Sequence, residues 1–291
     1  MIKTFDEMLQ AAKALQDVKI AVAMAESEEV LESVEMARKE GIADAVLVGD
    51  EDKILALMKD MNIDPNHYSI IDEKDGAEAA RKAVNLVREG HAGILMKGLI
   101  DTSVILKAVL NKEEGLRGDS VLSHVAVFDV PTYHKLLTVT DAAMNINPDV
   151  DTKEMIIKNA LHVAKALGID TAKVALLAAK EKVNEKMEAT VHADELKKRS
   201  FDGALVDGPF ALDNAVSKDS ARIKGLTSEV AGDADILLAP QIDSGNILYK
   251  ALGFLAQAKN AGILLGAKKP IVLTSRADSE LTRLYSIALA M

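Results

Sequence analysis

The sequence of 291 residues lacks cysteine and tryptophan, and aromatic residues make up only 3% of it. Without cysteine, the chain can form neither disulfide bonds nor thiolate metal ligands, and it has no thiol nucleophile. The few aromatic rings offer little surface on which bases could stack, which argues against a single-stranded nucleic acid as partner. The hydrophobic core must therefore consist mainly of Ala, Val, Ile, Leu and Met.

Basic surface is also scarce, because the formal net charge is −10 at pH 7. Such a chain has no basic face with which to displace counterions from nucleic acid, so we expect no nucleic-acid partner. The N-terminal segment carries Asp6 and Glu7 instead of a basic start, and no run of about 18 apolar residues follows anywhere. We therefore expect a cytoplasmic protein without a signal peptide and without a membrane partner.

The common catalytic motifs are missing as well. The sequence contains no G-x-x-x-x-G-K-[ST], no G-x-G-x-x-G after a strand, no G-x-S-x-G, no H-E-x-x-H and no EF-hand loop. Its six His residues are scattered, without an i, i+4 pair for a metal ion. These absences argue against P-loop, Rossmann dinucleotide, serine hydrolase and zinc hydrolase chemistry, and we expect no metal site.

What the sequence does contain is an alternation of short β-branched runs with longer segments of helical period. This pattern predicts an α/β fold with mainly parallel sheets. The predicted strands are 18–24, 43–49, 68–72, 93–96, 121–130, 136–140, 174–179, 203–206, 235–239 and 270–273. The predicted helices are 27–40, 50–61, 76–89, 102–110, 152–167, 181–199, 245–261 and 279–290.

Polar residues cluster where several predicted strands end, which is where ligands bind in open parallel sheets. Lys97 closes one strand and could meet an anion, although a solvated loop lysine would look the same. Arg117 and Ser120 flank Gly118, and together they could form an anion-binding turn or an ordinary one. Asn145 lies in a stretch of small residues where a ligand could approach closely, or where a helix could simply begin.

Two later junctions extend this set. Asp207 follows the strand 203–206, and Asp243, Gly245 and Asn246 precede a predicted helix. A helix N-terminus near residues 244–246 would attract a phosphate, whereas Asp243 could equally be a simple N-cap.

The last junction is Ser275-Arg276-Ala277-Asp278, which follows the strand 270–273. Ser275 and Asp278 fit an S-x-x-D capping box, so a helix cap and a reaction site are both open on local grounds.

Taken together, these stretches resemble the phosphate acetyl/butyryltransferase family over most of the chain. The stretches that carry the resemblance are TDAAMNINPD (140–149), VDGPFALDNAV (206–216), SEVAGDADILLAPQIDSGNILYKAL (228–252) and KKPIVLTSRADS (268–279). Within the family the chain looks most like the phosphate butyryltransferases. It is compact, and it reads SRADS where the acetyltransferases usually read SRG.

The resemblance implies the reversible reaction of acyl-CoA with phosphate to give acyl phosphate and CoA, without a cofactor. It also implies two α/β domains related to isocitrate and isopropylmalate dehydrogenases, with the active site in the cleft between them. The implied first domain comprises 1–130 and 267–291, and the second comprises 131–266. Acyl-CoA and phosphate are the implied small-molecule partners, and the family analogy implies a homo-oligomer.

The resemblance also assigns residues. Ser275 would donate to the developing oxyanion or thiolate, and Arg276 would bind phosphate through its planar fork. Arg117 is a second implied phosphate ligand. Acetyltransferases place an Asp seven residues after the motif Ser as the base for the CoA thiol, but Thr282 stands there in this chain. Asp278 is the first candidate for that role, and Glu280 is the second.

Three other functions compete with this one. The nearest is phosphate acetyltransferase, because the residues leave the acyl chain length open. A metal- and NAD-dependent hydroxy-acid dehydrogenase on the related fold would need a carboxylate cluster, and no persuasive one is visible. A non-catalytic acyl-CoA-binding protein would share the same binding residues.

Overall fold

The computed structural model describes residues 1–15, 18–273 and 278–291, which form two compact units. Unit 1 comprises Met1–Phe5 and Ser120–Asn260, and unit 2 comprises Asp6–Asp119 and Ala261–Met291. The predicted domain limits after residues 130 and 266 stay a prediction.

The secondary structure alternates between strands and helices along the described chain. The strands are β1 (Lys19–Ala23), β2 (Asp44–Gly49), β3 (Ser69–Asp72), β4 (Ile94–Lys97), β5 (Ser123–Asp129), β6 (Leu137–Thr140), β7 (Ala172–Leu177), β8 (Ala204–Phe210), β9 (Ile236–Leu238), β10 (Lys259–Leu265) and β11 (Ile271–Val272). The helices are α1 (Phe5–Lys13), α2 (Glu28–Lys39), α3 (Glu51–Asp60), α4 (Gly76–Arg88), α5 (Thr102–Val109), α6 (Val150–Ala166), α7 (Glu188–Leu196), α8 (Leu212–Val216), α9 (Lys218–Ile223), α10 (Ile242–Lys250) and α11 (Glu280–Leu289).

The sheet of unit 2 has the strand order β3-β2-β1-β4-β11-β10. All neighbours are parallel except β10, which runs antiparallel to β11. Its central strands are apolar and buried along most of their length, as expected for a parallel sheet covered on both faces. Ala23 pairs with Lys97, and Met96 pairs with Val272, so the carboxyl ends of β1, β4 and β11 lie side by side.

The sheet of unit 1 has the order β5-β6-β9-β7-β8, in which β5 is antiparallel to β6 and the other pairs are parallel. Phe128, Val139, Phe210 and Leu237 form part of its buried core. The parallel strands β6, β9, β7 and β8 end at one edge. Three of the motifs singled out from the sequence lie there, after β6, around β9 and at the end of β8.

The prediction of an α/β fold with mainly parallel sheets is confirmed, and each predicted strand is present. The predicted helix 245–261 is wrong in its second half. Helix α10 ends at Lys250, a π-helical turn covers Ala251–Leu255, and residues 259–265 form β10. Alanine-rich apolar stretches fit either structure locally, and pairing with β11 makes this one a strand. The predicted helix 181–199 is also too long, because α7 covers only Glu188–Leu196.

Within the described residues, no helix combines the length and the apolar character that crossing a membrane requires. The same part of the chain brings no three His, Asp or Glu residues together in an arrangement that could hold a metal ion.

Candidate functional site

The loop after β6 is organised by Asp141, a carboxylate that is 3% exposed. One of its oxygens, Oδ1, accepts the backbone N–H groups of His124 (3.2 Å), Ala143 (2.9 Å) and Met144 (3.1 Å). The other, Oδ2, accepts the backbone N–H of Asn145 at 3.0 Å and its side-chain Nδ2 at 2.6 Å. A buried carboxylate needs such donors to replace its lost hydration, so Asp141 determines the shape of the loop.

Asn145 is fixed in this loop by two hydrogen bonds that its side-chain amide nitrogen donates. Besides Asp141, its Nδ2 donates to the carbonyl oxygen of Leu122 at 2.9 Å. The amide hydrogens of Asn145 are therefore used to hold the loop together, and only its carbonyl oxygen is left to meet a ligand.

Helix α10 packs directly on the same loop. A Cβ atom built on Gly245 would overlap the carbonyl oxygen of Asp141, and it would lie 3.1 Å from Cα of Ala142. Asn246 Nδ2 donates to the carbonyl oxygen of Ala142 at 3.2 Å. The structure thus brings three predicted site residues together around the Asp141 loop, namely Asn145, Gly245 and Asn246.

The beginning of α10 differs from the prediction. Gln241 is the N-cap, and its side-chain oxygen accepts the backbone N–H of Asp243 at 2.7 Å. The interpretation of Asp243 as a simple N-cap is therefore wrong, and Asp243 is an exposed residue of the first turn. Gly245 and Asn246 lie inside the helix and not at its N-terminus, so their N–H groups are not the unpaired ones that would attract phosphate.

The other two predicted residues of unit 1 lie elsewhere. Asp207 lies inside β8, the edge strand, because this strand continues to Phe210 instead of ending at residue 206. Its carboxylate accepts the N–H of Gly208 at 2.7 Å. Ser120 precedes β5, and its buried Oγ has no hydrogen-bond partner among the described residues. The structure does not bring Asp207 into the Asp141 loop.

In unit 2, Lys97 closes β4 as predicted. Its Nζ donates to the carbonyl oxygen of Gly98 at 3.1 Å. Gly98 packs so closely on the chain after β1 that an added Cβ would overlap the carbonyl oxygen of Met24. The loops after β1 and β4 are thereby fixed to each other, and the ammonium of Lys97 lies at their junction.

Arg117 forms an isolated antiparallel bridge with Ala267, and its side chain is exposed. The neighbouring Gly118 approaches the carbonyl oxygen of Gly266 closely, at 2.5 Å from a built Cβ. Glycine is required here because any side chain would collide with that backbone. An exposed guanidinium on a fixed backbone is suited to binding a phosphate oxygen pair.

Ser275 and Arg276 lie outside the described residues. Asp278 lies just before α11, whose N-cap is Ser279 with its Oγ accepting the N–H of Thr282 at 3.1 Å. The cap of this helix is thus Ser279, and the proposed capping box of residues 275 and 278 is not the one that begins α11. Thr282, at the position where acetyltransferases carry Asp, uses its backbone in this cap.

The acidic residue Glu280 interacts with α2. Burial raises the pKa of Glu32, and repulsion and a hydrogen bond from Glu280 raise it further. A hydrogen bond from Ser27 lowers the pKa of Glu29, and the positive charge of Arg283 lowers it further. Glu280 is therefore close enough to Glu32 to repel its charge, and the positive charge of Arg283 partly offsets this repulsion.

Sequence reasoning missed two carboxylates at these edges. Asp141 lies in the motif 140–149, and the small residues and Asn145 that follow it are the signal that could have identified it. An Asp side chain can accept hydrogen bonds from the backbone N–H groups that follow it in a turn. Glu26 follows β1 and is 8% exposed, and its Oε2 packs against Gly49 without a hydrogen-bond partner among the described residues. A buried carboxylate oxygen in this setting can accept a hydrogen bond from a ligand. No local signal in the sequence marks it.

Comparison with known proteins shows which family has these strand-end motifs. Residues 3–81 and 76–291 match the family described as phosphate acetyl/butaryl transferase. A phosphate butyryltransferase of Clostridium beijerinckii is 48% identical over 100% of this chain and 97% of its own.

Solved structures agree with that match. A branched-chain phosphotransacylase from Enterococcus faecalis superposes with a TM-score of 0.86 at 36% identity, over 94% of this chain and 98% of its own. A 4-hydroxythreonine-4-phosphate dehydrogenase from Klebsiella pneumoniae has a TM-score of 0.54 at 15% identity, over 94% and 98% of the two chains. At that identity it shows only a common fold, which confirms the predicted dehydrogenase-like architecture. The chain belongs to the phosphate acetyl/butaryl transferase family.

Proposed function

We propose that this protein is a phosphate acyltransferase that interconverts short-chain acyl-CoA and phosphate with acyl phosphate and CoA, and that butyryl is its preferred acyl group. The observation that carries this proposal is the 48% identity to a phosphate butyryltransferase along the whole chain. Phosphate acetyltransferase is the nearest alternative, since the family description names both acyl groups.

The proposed chemistry is a direct transfer. A phosphate oxygen attacks the thioester carbonyl carbon, and a C–O bond forms as the carbonyl oxygen gains negative charge. The C–S bond then breaks, its electron pair leaves with sulfur, and the thiolate takes up a proton. Because the chain has no Cys, an acyl-thioester intermediate on the enzyme is not available. The thioester is already activated, so the proposed reaction needs no cofactor.

The proposed roles of the residues rest on the family resemblance. Arg276 binds two phosphate oxygens, and Ser275 donates a hydrogen bond to the oxyanion or the departing thiolate. Arg117 and Lys97 supply further positive charge for the anionic groups of phosphate and CoA. Asp278 is the proposed base for the CoA thiol in the reverse direction.

We also propose that the protein is a cytoplasmic homo-oligomer. Large exposed apolar side chains support the proposed association. On α10 and the following π-helical turn, Ile247, Phe254 and Leu255 are 68%, 67% and 84% exposed. A cluster of this kind is typical of a subunit interface.

The proposal is tested by following free thiol with acetyl-, butyryl- and hexanoyl-CoA in the presence of phosphate. We expect phosphate-dependent thiol release with the highest kcat/KM for butyryl-CoA. A higher kcat/KM for acetyl-CoA would make the protein an acetyltransferase. Thiol release that does not depend on phosphate would overturn the proposed reaction, and NAD reduction with a hydroxy acid would favour the dehydrogenase.

Two substitutions test the residues. Arg276→Ala and Ser275→Ala should each lower kcat by about 10² to 10³, the usual effect of removing one donor to the reacting charge. Arg222→Ala is the matched control, because that arginine is an exposed residue of α9 that pairs with Asp219 of the same helix. Full activity in both site variants would disprove the assignment.

A further inference from the structure

Unit 1 contains a cavity of about 760 Å³ at the carboxyl ends of β7 and β9. Most of its wall is apolar, with side chains from the β7 end, from α7 and from α10. The apolar side chains in this wall include Leu177, Ala178, Met187, Leu212, Ile247 and Leu248. Cavities of this size with apolar walls and few polar groups are the usual form of small-molecule sites.

One charged side chain in this wall is deeply buried. Lys153, on α6, is 3% exposed and lines the cavity. Within the described residues its Nζ has one polar partner, Nδ1 of His192 at 2.8 Å. Burial lowers the pKa of Lys153 to about 8, so the amine still carries its proton at neutral pH. An ammonium has three N–H donors, and His192 accepts only one of them.

Among the residues that the structure describes, no carboxylate is in direct contact with the ammonium of Lys153. His192 is neutral at pH 7, because burial and the charge of Lys153 lower its pKa. Two acidic side chains act on this pair through their charges, Glu188, 3.8 Å from Nε2 of His192 and 64% exposed, and the exposed Asp149. Water screens much of both charges. A buried cation with unused donors is costly unless an anion completes it.

The charge and the apolar character of the cavity wall determine which class of anion it can bind. Among the described residues of this wall, Lys153 is the one cation, and the other polar side chains are Asn147, Gln241, Ser244 and the carboxylate of Glu188. A phosphate dianion needs several cationic or N–H donors, and the Glu188 carboxylate would repel a dianion more strongly than a monoanion. A carboxylate needs fewer donors, and an attached hydrocarbon tail would bury its surface against Leu177, Met187 and Leu248.

We infer that this cavity binds a monocarboxylate with an apolar tail, its carboxylate accepting hydrogen bonds from the Lys153 ammonium and its tail packing on the apolar wall. This site is additional to the proposed acyl transfer and does not depend on it, since the ligand is a free carboxylate and not a thioester.

The test is isothermal titration calorimetry of the full chain at pH 7, without CoA or phosphate. Acetate, butanoate and hexanoate are compared with butan-1-ol, which has the butanoate tail but no charge. We expect the affinity to rise about fourfold per buried methylene. We expect Lys153→Met to weaken butanoate about tenfold or more, the loss expected for a buried charge-assisted hydrogen bond.

The matched control is Lys158→Met on the same helix, because Lys158 pairs with Glu154 and does not line this cavity. This variant should bind butanoate like the parent chain. A second variant, Ala178→Leu, narrows the cavity and should weaken hexanoate more than acetate. Equal binding of butan-1-ol and butanoate, unchanged binding in Lys153→Met, or no binding of any carboxylate would overturn the inference. Thiol release with acyl-CoA is measured separately, so failure here leaves the acyltransferase proposal unaffected.

Discussion

Asp141 and Lys153 are buried charges of opposite sign in unit 1, and their surroundings differ sharply. Asp141 accepts hydrogen bonds from five N–H groups of the surrounding chain, four of them backbone groups. Lys153 has one partner among the described residues, His192. Both side chains are 3% exposed, so burial does not distinguish them.

This difference separates two roles that look alike in a sequence. A charge whose hydrogen-bonding capacity is filled by its own chain stabilises a loop and has little left for a ligand. A charge with unused donors beside a cavity gains most when a ligand completes it. We therefore expect Asp141 to matter chiefly for stability and Lys153 chiefly for binding.

The largest effect should come from removing the filled charge. Asp141→Ala would leave several buried N–H groups without acceptors, and we expect a loss of about 3–5 kcal/mol in the free energy of unfolding. Asp141→Asn retains one acceptor oxygen and should lose less. Urea denaturation followed by circular dichroism measures both. A loss below about 1 kcal/mol for Asp141→Ala would contradict the structural role of this carboxylate.

The next effect tests how closely α10 must approach the Asp141 loop. Gly245→Ala would push a methyl group into the carbonyl oxygen of Asp141, so the helix must shift. We expect a loss of about 2–3 kcal/mol, typical of forced overpacking. Gly253→Ala is the control, because a Cβ there would meet its nearest atom at 3.5 Å, an ordinary contact. Equal stability of the two variants would show that the loop yields freely.

The smallest effect has the opposite sign and concerns Lys153. Its folded pKa of about 8 lies below the ordinary 10.5, so burial of the charged form opposes folding. The difference between the two pKa values corresponds to about 3 kcal/mol of lost stability in the parent chain. The Lys153–His192 hydrogen bond, which the Met variant would lose, offsets about 1 kcal/mol of it. Lys153→Met should therefore be more stable than the parent by about 2 kcal/mol at pH 7.

The pH dependence sharpens this prediction. Between pH 8 and 10.5 the unfolded chain holds the Lys153 proton and the folded chain does not, so the parent gains stability relative to the variant as pH rises. The advantage of Lys153→Met should shrink over that window. The neighbouring carboxylates are Asp149 and Glu188, and the pKa values of Asp149 and His192 are both lowered, so neither of these two adds a transition in this window. Denaturation at pH 7 and pH 10 would show a constant difference if Lys153 were not responsible.

Much of the fold could be predicted because the local signals agreed with the tertiary structure. The apolar runs 18–24 and 43–49 form β1 and β2, and Asp50 and Asp75, residues of the type that favours N-caps, cap α3 and α4. Prediction failed at residues 251–265, where an Ala-rich segment has no distinct period. There the antiparallel pairing of Leu264 with Ile271 selects a strand. The composition of a segment does not show which later segment it will pair with, so this strand could not be predicted from residues 251–265 alone.

The candidate site divides in the same way. The sequence by itself determined the chemistry on offer: an acidic chain without cysteine, polar residues after parallel strands, and the motifs that place it in its family. Only the tertiary structure decided that Asn145 donates to Asp141 and that Gly245 makes room for the loop backbone. It also decided that Lys153 lies against a cavity with one polar partner among the described residues. The physical reason is that a residue type sets which hydrogen bonds a side chain can make. The number that its own chain already fills depends on distant segments that packing brings together.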